Sequence, residues 1–473
     1  MTRADYDIVI IGAGAAGLIG ANFALRLGVR VALIERERIG GDCTWTGCVP
    51  SKSLIKAASV AADARRAATF GLELAAQPVD LARVRQYLHA TIDQIYAPTA
   101  PEALRAKGLA VHLGPAQFVD PHTLDVSGTR VRARRFLICT GALPRRPQLP
   151  GLEQLPYLTY RELFENDRLP RTLTVIGGGP VGCEVAQAYQ RLGACATIIA
   201  PRLLPRDERE ASERLAQIFA AEGIRYIPAR AQAVRAQNGH AVVETELGAV
   251  SGELLFIAVG RVPALEGLAL ENAGVRSSAR GIEVNAKLQT SAPHIYAAGD
   301  CIGGAQFSHL AGWQAFQAVR NALLPGSSVG LTDRTPEVTF TVPEIARIGC
   351  TEREARERHG DEVRIAALDL ACVDRAVNES DRVGFVKLIA HRDGRLLGAT
   401  VMGERAGEAL AEVSLAISSR LTVGEVASAI HPYPTYSSAI QLLASELAVG
   451  ETLSGRKGKL LRALARFSLG RAS

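Results

Sequence analysis

Two cysteines, Cys43 and Cys48, stand with four residues between them in the stretch Gly40-Gly-Asp-Cys-Thr-Trp-Thr-Gly-Cys-Val-Pro-Ser-Lys52. This spacing does not match the usual zinc pairs, so no metal site is expected. Alone, two nearby cysteines in a chain of intracellular character are ordinary thiols. Their surroundings make them a candidate redox pair. Pro50 and Ser51 read as the start of a helix, with Ser51 as its N-cap. That puts Cys48 near a helix N-terminus, with the Lys52 cation close by. Both features favour a thiolate, and a low-pKa thiol beside a second cysteine suits thiol–disulfide exchange.

Such a pair needs an electron source, and the flanking sequence offers one. Residues 7–11 read as a buried parallel strand, followed at once by Gly12-Ala-Gly14-Ala-Ala-Gly17 and a helical pattern to about Leu27. A second strand over residues 30–34 ends in Glu35. Gly12 allows the turn, Gly14 lets the backbone approach a pyrophosphate, and Gly17 lets helix pack on strand. The helix N-terminus supplies free N–H groups and a positive dipole end. Glu35 stands where a carboxylate accepts from a ribose hydroxyl.

The pattern recurs over residues 173–193, with Gly177, Gly179 and Gly182 in the same spacing. Two dinucleotide units around a cysteine pair suggest a relay from nicotinamide to flavin to disulfide. The strand after the second unit ends in Ala200, where an NAD site places an acid, and Arg202 and Arg206 follow. A missing carboxylate with added guanidinium groups fits a 2′-phosphate, which favours NADPH over NADH. The competing explanation for Arg206 is an exposed run of alternating acids and bases.

The stretch Gly41-x-Cys43-x4-Cys48-Val-Pro-Ser-Lys52 resembles the redox signature of the class I pyridine nucleotide–disulfide oxidoreductases. That family includes dihydrolipoamide dehydrogenase, glutathione reductase and mercuric reductase. The resemblance covers nearly the whole chain. It implies an α/β fold of two Rossmann-like dinucleotide-binding domains plus an α+β C-terminal dimerisation domain. By this reading residues 1–150 and 266–335 bind FAD, 151–265 bind NAD(P)H, and 336–473 form the dimer-interface domain with a basic tail. A proline-rich linker over residues 144–156 marks the first boundary.

The resemblance further implies roles. Cys48 is the flavin-proximal thiol, forming a charge-transfer pair with the flavin, and Cys43 is the interchange thiol that meets substrate. Lys52 lies near the flavin N5, paired with Glu184. Gly114 and Ala116 flank the FAD adenine, Thr140 and Gly141 close the flavin domain, and Gly260 closes the nicotinamide domain. Asp300 bonds the ribityl chain, and a helix starting near residues 306–309 points its N-terminus at the flavin. Pro180 replaces a bulky residue that often shields the nicotinamide pocket, which implies a more open pocket.

One motif departs from the family. Its disulfide reductases usually carry His-x-His-Pro-Thr-x-x-Glu, in which the second histidine is the acid–base group and the glutamate orients it. Here His431-Pro-Tyr433-Pro-Thr435-Tyr-Ser-Ser438 puts Tyr433 and Ser438 at those places. Tyrosine, with a reference pKa near ~10, is a poor base at neutral pH but can donate a proton or ligate a metal. Mercuric reductases carry a tyrosine in this region, but they end in a paired-cysteine tail, and this sequence has no cysteine after Cys372. The expected function is an FAD enzyme that passes electrons from NAD(P)H through Cys43/Cys48 to a small acceptor: a metal ion such as Hg(II), a quinone, or a disulfide. Lipoamide-type turnover with His431 as base is the alternative, and a flavin-bound thiol sensor without fast turnover is the alternative of another class.

Composition agrees. A chain of 473 residues, 48% hydrophobic and 22% charged, suggests about three globular domains. Of eight cysteines most lie singly in apolar runs, as buried thiols do, which is unlike a secreted disulfide framework. The apolar stretch over residues 8–27 is interrupted by Gly12, Gly14, Gly17 and Gly20, so it reads as strand, turn and helix rather than a membrane span. With no basic leader, a cytoplasmic location is expected. Net charge is +6, and residues 451–473 hold six cations against Glu451 alone. The body is therefore near neutral and no nucleic-acid surface is expected. The basic tail alternates cations with leucines. A solvated or dimer-packed terminal helix is favoured there over lipid contact.

Overall fold

The computed structural model describes residues 4–75, 77–453 and 455–470. The first three residues and the side chains of Arg456, Lys457, Leu469 and Arg471 lie outside the described residues. The chain divides into two compact units, one of residues 1–201 and 222–332, the other of residues 202–221 and 333–473.

The first unit is built on β1 (Tyr6–Ile11), which pairs in parallel with β2 (Val31–Glu35) on one side and β6 (Thr129–Ile138) on the other. The sheet runs β3 (Ala110–Leu113), β2, β1, β6, β5 (Thr123–Val126), β4 (Ala116–Asp120), and β18 (Ile295–Ala297) adds to β6 in parallel. Ile8, Val9, Ile10 and Ile11 are buried on both faces of β1. A strand covered on both faces reads as a continuous apolar run, and each such side chain contributes roughly 1.5–3 kcal/mol of burial. Helix α1 (Ala15–Arg26) follows β1, and α8 (Ser308–Leu323) packs against it. The β4/β5 pair is antiparallel.

Between β2 and β3 lie α2 (Gly41–Trp45), α3 (Cys48–Arg66), α4 (Leu81–Tyr96) and the short α5 (Pro101–Ala106). The start of α3 corrects the sequence reading. Its N-cap is Gly47 and its first residue is Cys48, so Ser51 sits inside the first turn and its hydroxyl donates to Cys48 O at 3.3 Å. Pro50 is tolerated there because the first-turn N–H groups have no intrahelical acceptor.

A second parallel sheet has the order β10 (Arg225–Ile227), β9 (Cys195–Ile199), β8 (Thr172–Ile176), β14 (Leu254–Ile257), with α6 (Pro180–Leu192) after β8. A three-stranded meander, β11 (Ala231–Gln237), β12 (His240–Thr245) and β13 (Gly248–Gly252), leads into β14. The two sheets are joined by a ribbon of β7 (Ala142–Pro144) and β15 (Arg261–Pro263), and a two-residue hairpin, β16 (Ser277–Ser278) with β17 (Gly281–Ile282), precedes β18.

The second unit is a five-stranded antiparallel sheet of order β19 (Glu337–Thr339), β20 (Glu344–Gly349), β23 (Leu396–Gly403), β22 (Phe385–His391), β21 (Val363–Asp369). A hairpin turn at Asp393 and Gly394 joins β22 to β23. Helices α9 (Glu352–His359), α10 (Asp374–Asn378), α11 (Ala406–Ser419), α12 (Val423–Ser428), α13 (Ser438–Leu453) and α14 (Gly455–Gly470) complete it. Its core joins Val386, Leu388 and Val401 of the sheet to Leu410 and Val413 of α11 and Leu443 of α13. Helix α7 (Arg209–Ala221) belongs to this unit although it comes from mid-chain. Arg214 reaches Asp369 at 2.6 Å, and the nearly buried Lys387 ammonium sits 3.1 Å from Glu352 and 3.2 Å from Glu210. In α14, Leu460, Leu461, Leu464 and Phe467 are exposed. Among the described residues no helix is long and apolar enough to cross a membrane.

Candidate redox site

The glycine loop and the cysteine turn are stitched together. Gly40 N donates to Ala13 O at 2.8 Å, and a Cβ on Gly41 would lie 2.9 Å from Gly14 Cα. At φ +56° Gly41 also adopts a left-handed conformation that L side chains rarely take. Trp45 fixes the far end of the turn, its indole N–H donating to Ile39 O at 2.8 Å while its ring packs 4.9 Å from that of Tyr96.

Cys43 lies on α2 and Cys48 opens α3, and both are free thiols within hydrogen-bonding reach of each other. Ser308, the first residue of α8, comes within 3.3 Å of Cys48 Sγ. The hydrogen bond from the Cys43 thiol, then that from Ser308 and the Lys52 charge, bring Cys48 down to about 6 against the opposing effect of burial. Cys43 moves the opposite way. Its bond to the Cys48 sulfur and its partial burial hold it protonated far above the ordinary thiol range. Lys52, one turn after Cys48, donates to the buried Glu184 of α6 at 3.0 Å. The arrangement gives one thiolate at a helix N-terminus, one protonated thiol beside it, and a cation–carboxylate pair a turn away.

The dinucleotide glycines divide into two kinds. A Cβ on Gly17 would stand 1.8 Å from Gly12 O, and one on Gly182 would stand 2.0 Å from Gly177 O, so these two set helix-to-loop packing. Gly14 and Gly179 are the N-caps of α1 and α6; a Cβ on Gly14 meets only Gly41 Cα at 3.9 Å, and one on Gly179 meets nothing within 4 Å. Bare helix N-termini with room for one more atom layer suit a diphosphate. Glu35 accepts from Ala13 N at 2.8 Å and from Glu37 N at 2.7 Å, so it braces the first glycine loop. Gly114 N donates to Glu35 O at 2.8 Å, and Ala116 opens β4 beyond it. Thr140 Oγ1 and Arg261 Nε are buried without a hydrogen-bond partner among the described residues, orphans that a polar ligand would satisfy. Gly141 and Gly260 each sit beside the β7/β15 ribbon, their backbone carbonyls accepting from Ala264 N and Arg145 N. These features fit FAD at the first glycine loop and a nicotinamide nucleotide at the second.

Asp300, which the resemblance places at the ribityl chain, is half of an ion pair with Arg261 at 3.1 Å, and burial pushes its carboxyl up. Arg261 also reaches Asp42, which in turn accepts from Tyr160. The sequence did not point to Ser308, Asp42 or Tyr160. Only Asp42 left a trace, as the one charge in an otherwise neutral cysteine turn.

In the second unit the two ring nitrogens of His431 face acceptors, Ala429 O at 3.0 Å and Glu412 Oε1 at 2.5 Å. Tyr433 is exposed and its hydroxyl donates to Asp374 at 2.6 Å, a bond that raises the phenol above its ordinary range. Ser438 closes on Thr435 O at 2.6 Å and so does not orient Tyr433. Arg202 and Arg206 are exposed, and Arg202 donates to Asp207 O at 3.1 Å. Cys139 is a buried core thiol.

The sequence profile of pyridine nucleotide-disulphide oxidoreductases matches residues 6–322, and that of the same family's dimerisation domain matches residues 335–444. The chain belongs to the pyridine nucleotide-disulphide oxidoreductases. It is an oxidoreductase of the flavoprotein disulfide reductase class, which uses FAD and a pyridine nucleotide. It is 35% identical to a mercuric reductase of Bacillus cereus over 447 residues, 93% of this chain and 71% of that one. It is 32% identical to a dihydrolipoyl dehydrogenase of Bacillus subtilis (strain 168), over 92% of this chain and 96% of that one. Among solved structures it superposes on the HOCl-induced flavoprotein disulfide reductase RclA of Escherichia coli with a TM-score of 0.84 at 29% identity, covering 93% of this chain and 99% of that one. RclA has also been solved as a Cu(II) complex. The expected fold, two Rossmann-like units with a C-terminal dimerisation domain, is the fold observed.

Proposed function

We propose that this chain, as a homodimer, takes electrons from NADPH in preference to NADH and delivers them through Cys43/Cys48 to a small electrophilic acceptor. The acceptor is a soft metal ion such as Hg(II) or Cu(II), a quinone, or a disulfide that needs no strong base. The observation that carries this reading is the placement of the two thiols: Cys48 at the first position of α3, with Ser308 3.3 Å from its sulfur and Lys52 a turn on, and Cys43 beside it on α2. Bound FAD supplies the step from hydride to electron pair. The chain's own part is to hold the Cys48 sulfur as a thiolate, to present Cys43 to the acceptor, and to keep Lys52 neutralised by Glu184. Glycines 12, 14 and 17, with Glu35, Gly114, Ala116, Thr140, Gly141 and Asp300, make up the FAD cradle. Gly177, Gly179, Gly182 and Gly260 serve the nucleotide, with Arg202 and Arg206 for its 2′-phosphate.

Two observations favour this over lipoamide-type turnover. His431 has both nitrogens engaged, and Tyr433, bonded to Asp374, keeps its proton at neutral pH. Tyr433 is thus suited to donate a proton or to ligate a metal, and unsuited to accept a proton. The Cu(II) complex of RclA adds support for a metal acceptor.

The test is an anaerobic titration of the flavin-loaded protein with NADPH, followed by turnover with Hg(II), Cu(II), quinones and disulfides. The expected outcome is a long-wavelength thiolate–flavin band on reduction and fastest turnover with a metal ion or quinone. Absence of the band in the reduced protein would remove Cys48 from its assigned place. Efficient dihydrolipoamide oxidation, abolished in His431→Ala, would establish the second reading instead. A kcat/KM for NADH above that for NADPH would overturn the nucleotide preference.

A further inference from the structure

Asp42 immediately precedes Cys43. Its Oδ2 accepts from Arg261 Nη2 at 2.6 Å and from the Tyr160 hydroxyl at 3.0 Å, and Thr46 Oγ1 lies 3.5 Å from Oδ1. The Arg261 Nη1 is 3.1 Å from Asp300, and its guanidinium carbon is 5.1 Å from the centre of the Tyr160 ring. Arg261 is mostly buried, and burial opposes its charge; Asp300, Tyr160 and Asp42 together outweigh that and hold it protonated. Burial keeps the Tyr160 phenol protonated, so it donates and carries no charge. Arg161, ion-paired with Glu37, is a further cation facing Asp42. Two carboxylates thus share one guanidinium, and the turn that carries Cys43 is tied to β15 and to Asp300, in the turn after β18, through a single charged knot.

The consequence for the thiol pair follows from charge. Reducing the disulfide breaks the S–S bond, takes two electrons from the pyridine nucleotide by way of the flavin, and takes up one proton on Cys43, leaving Cys48 as thiolate. Reduction therefore adds negative charge on Cys48, the hydrogen-bond partner of the residue that follows Asp42 in the chain. A carboxylate close to that charge disfavours it, and a guanidinium offsets the carboxylate. Removing the Asp42 charge leaves Arg261 and Asp300 balanced and the reduced state favoured.

We propose that Asp42, gripped by Arg261 and Tyr160, is a positioning residue for Cys43 whose charge sets the reduction potential of the Cys43/Cys48 couple. This rests on the reading that these two cysteines are the redox centre. The grip fixes where the charge stands; the charge fixes how strongly the pair oxidises.

The experiment uses flavin-loaded protein equilibrated with a dithiol redox buffer, read by thiol trapping, with the pH profile of Cys48 alkylation as a second readout. Asp42→Asn makes the couple more oxidising by roughly tenfold in the exchange constant, about 30 mV for two electrons, and moves the Cys48 alkylation midpoint to lower pH. Asp42→Glu and Tyr160→Phe, which keep the charges, stay within about twofold of the parent in the exchange constant even where melting temperature falls. A purely structural role would lower stability and leave both readouts of Asp42→Asn at the parent value, which overturns the proposal. A shift in Asp42→Glu as large as that expected for Asp42→Asn overturns it too, and that arm stands even if Asp42→Asn loses its flavin. Failure of the underlying reading looks different: the parent itself takes up only two electrons per flavin from nucleotide, with no protein thiol formed.

Discussion

Cys43 and Cys48 are the same side chain five positions apart, yet the structure drives them to opposite protonation states. Cys48 has the helix N-terminus, Ser308 and Lys52 on its side, and Cys43 gives up its hydrogen bond to stabilise its neighbour. Of the two thiols, iodoacetamide labelling of reduced protein is therefore expected to report Cys48 rather than Cys43 at neutral pH, with a midpoint of about 6. Because the fold favours the charged form, reduced protein gains stability from this group above the ordinary thiol range and loses it as pH falls through about 6. Mass mapping of the label on Cys43 instead would reverse the assignment of the two thiols. The Lys52 and Glu184 pair supports the same charge balance, with Glu184 buried and Lys52 half-open. Glu184→Gln leaves a cation without its closest carboxylate next to the thiolate. Steady-state kcat is expected to fall roughly 10- to 100-fold, the scale of losing one well-placed charged group at a reacting centre, while the fold survives.

Elements explain why glycines that look alike in the sequence are not interchangeable. Gly182→Ala forces a methyl group to within 2.0 Å of Gly177 O, so α6 must move off its strand; calorimetry is expected to show a loss of about 2–4 kcal/mol. Gly179→Ala, three residues earlier, meets nothing within 4 Å. It should melt like the parent and instead raise KM for the nucleotide at least about tenfold, by filling the space a diphosphate needs. Equal melting points and equal KM values in the two variants would show that the N-terminus of α6 is not the nucleotide site. The strand–turn–helix units were legible because glycine at fixed spacing after an apolar run has few other meanings. The start of α3 was less legible: Pro50 looks like a first helical residue, and only the backbone shows the helix already under way at Cys48. The Asp42, Arg261, Asp300 knot was not legible at all, since it joins residues more than two hundred positions apart, and no local pattern encodes such a meeting. Helix α7 is a similar case, its charged face finding Asp369 and Lys387 far along the chain.

For the whole molecule, the motif that departs from the family lies in the second unit, within the span matching the dimerisation domain, and the thiol pair lies in the first. The sequence carried the electron path well because it is written in contiguous motifs. It carried the acceptor poorly because the state of Tyr433, the proposed proton donor, is set by Asp374 across a loop. If the enzyme is a homodimer in which Tyr433 of one chain serves the thiols of the other, Cys48→Ser and Tyr433→Phe chains are each defective alone yet complement when mixed. Random pairing of equal amounts makes about half the dimers hybrids, each with one intact site, so about a quarter of parental activity is expected. The measurement is turnover after the two proteins are unfolded together and refolded with FAD, against each refolded singly. Activity no higher than the mean of the single variants would place Tyr433 and the thiols it serves on the same chain or remove Tyr433 from proton transfer. Tyr433→Phe turnover equal to the parent with every acceptor isolates the second of these.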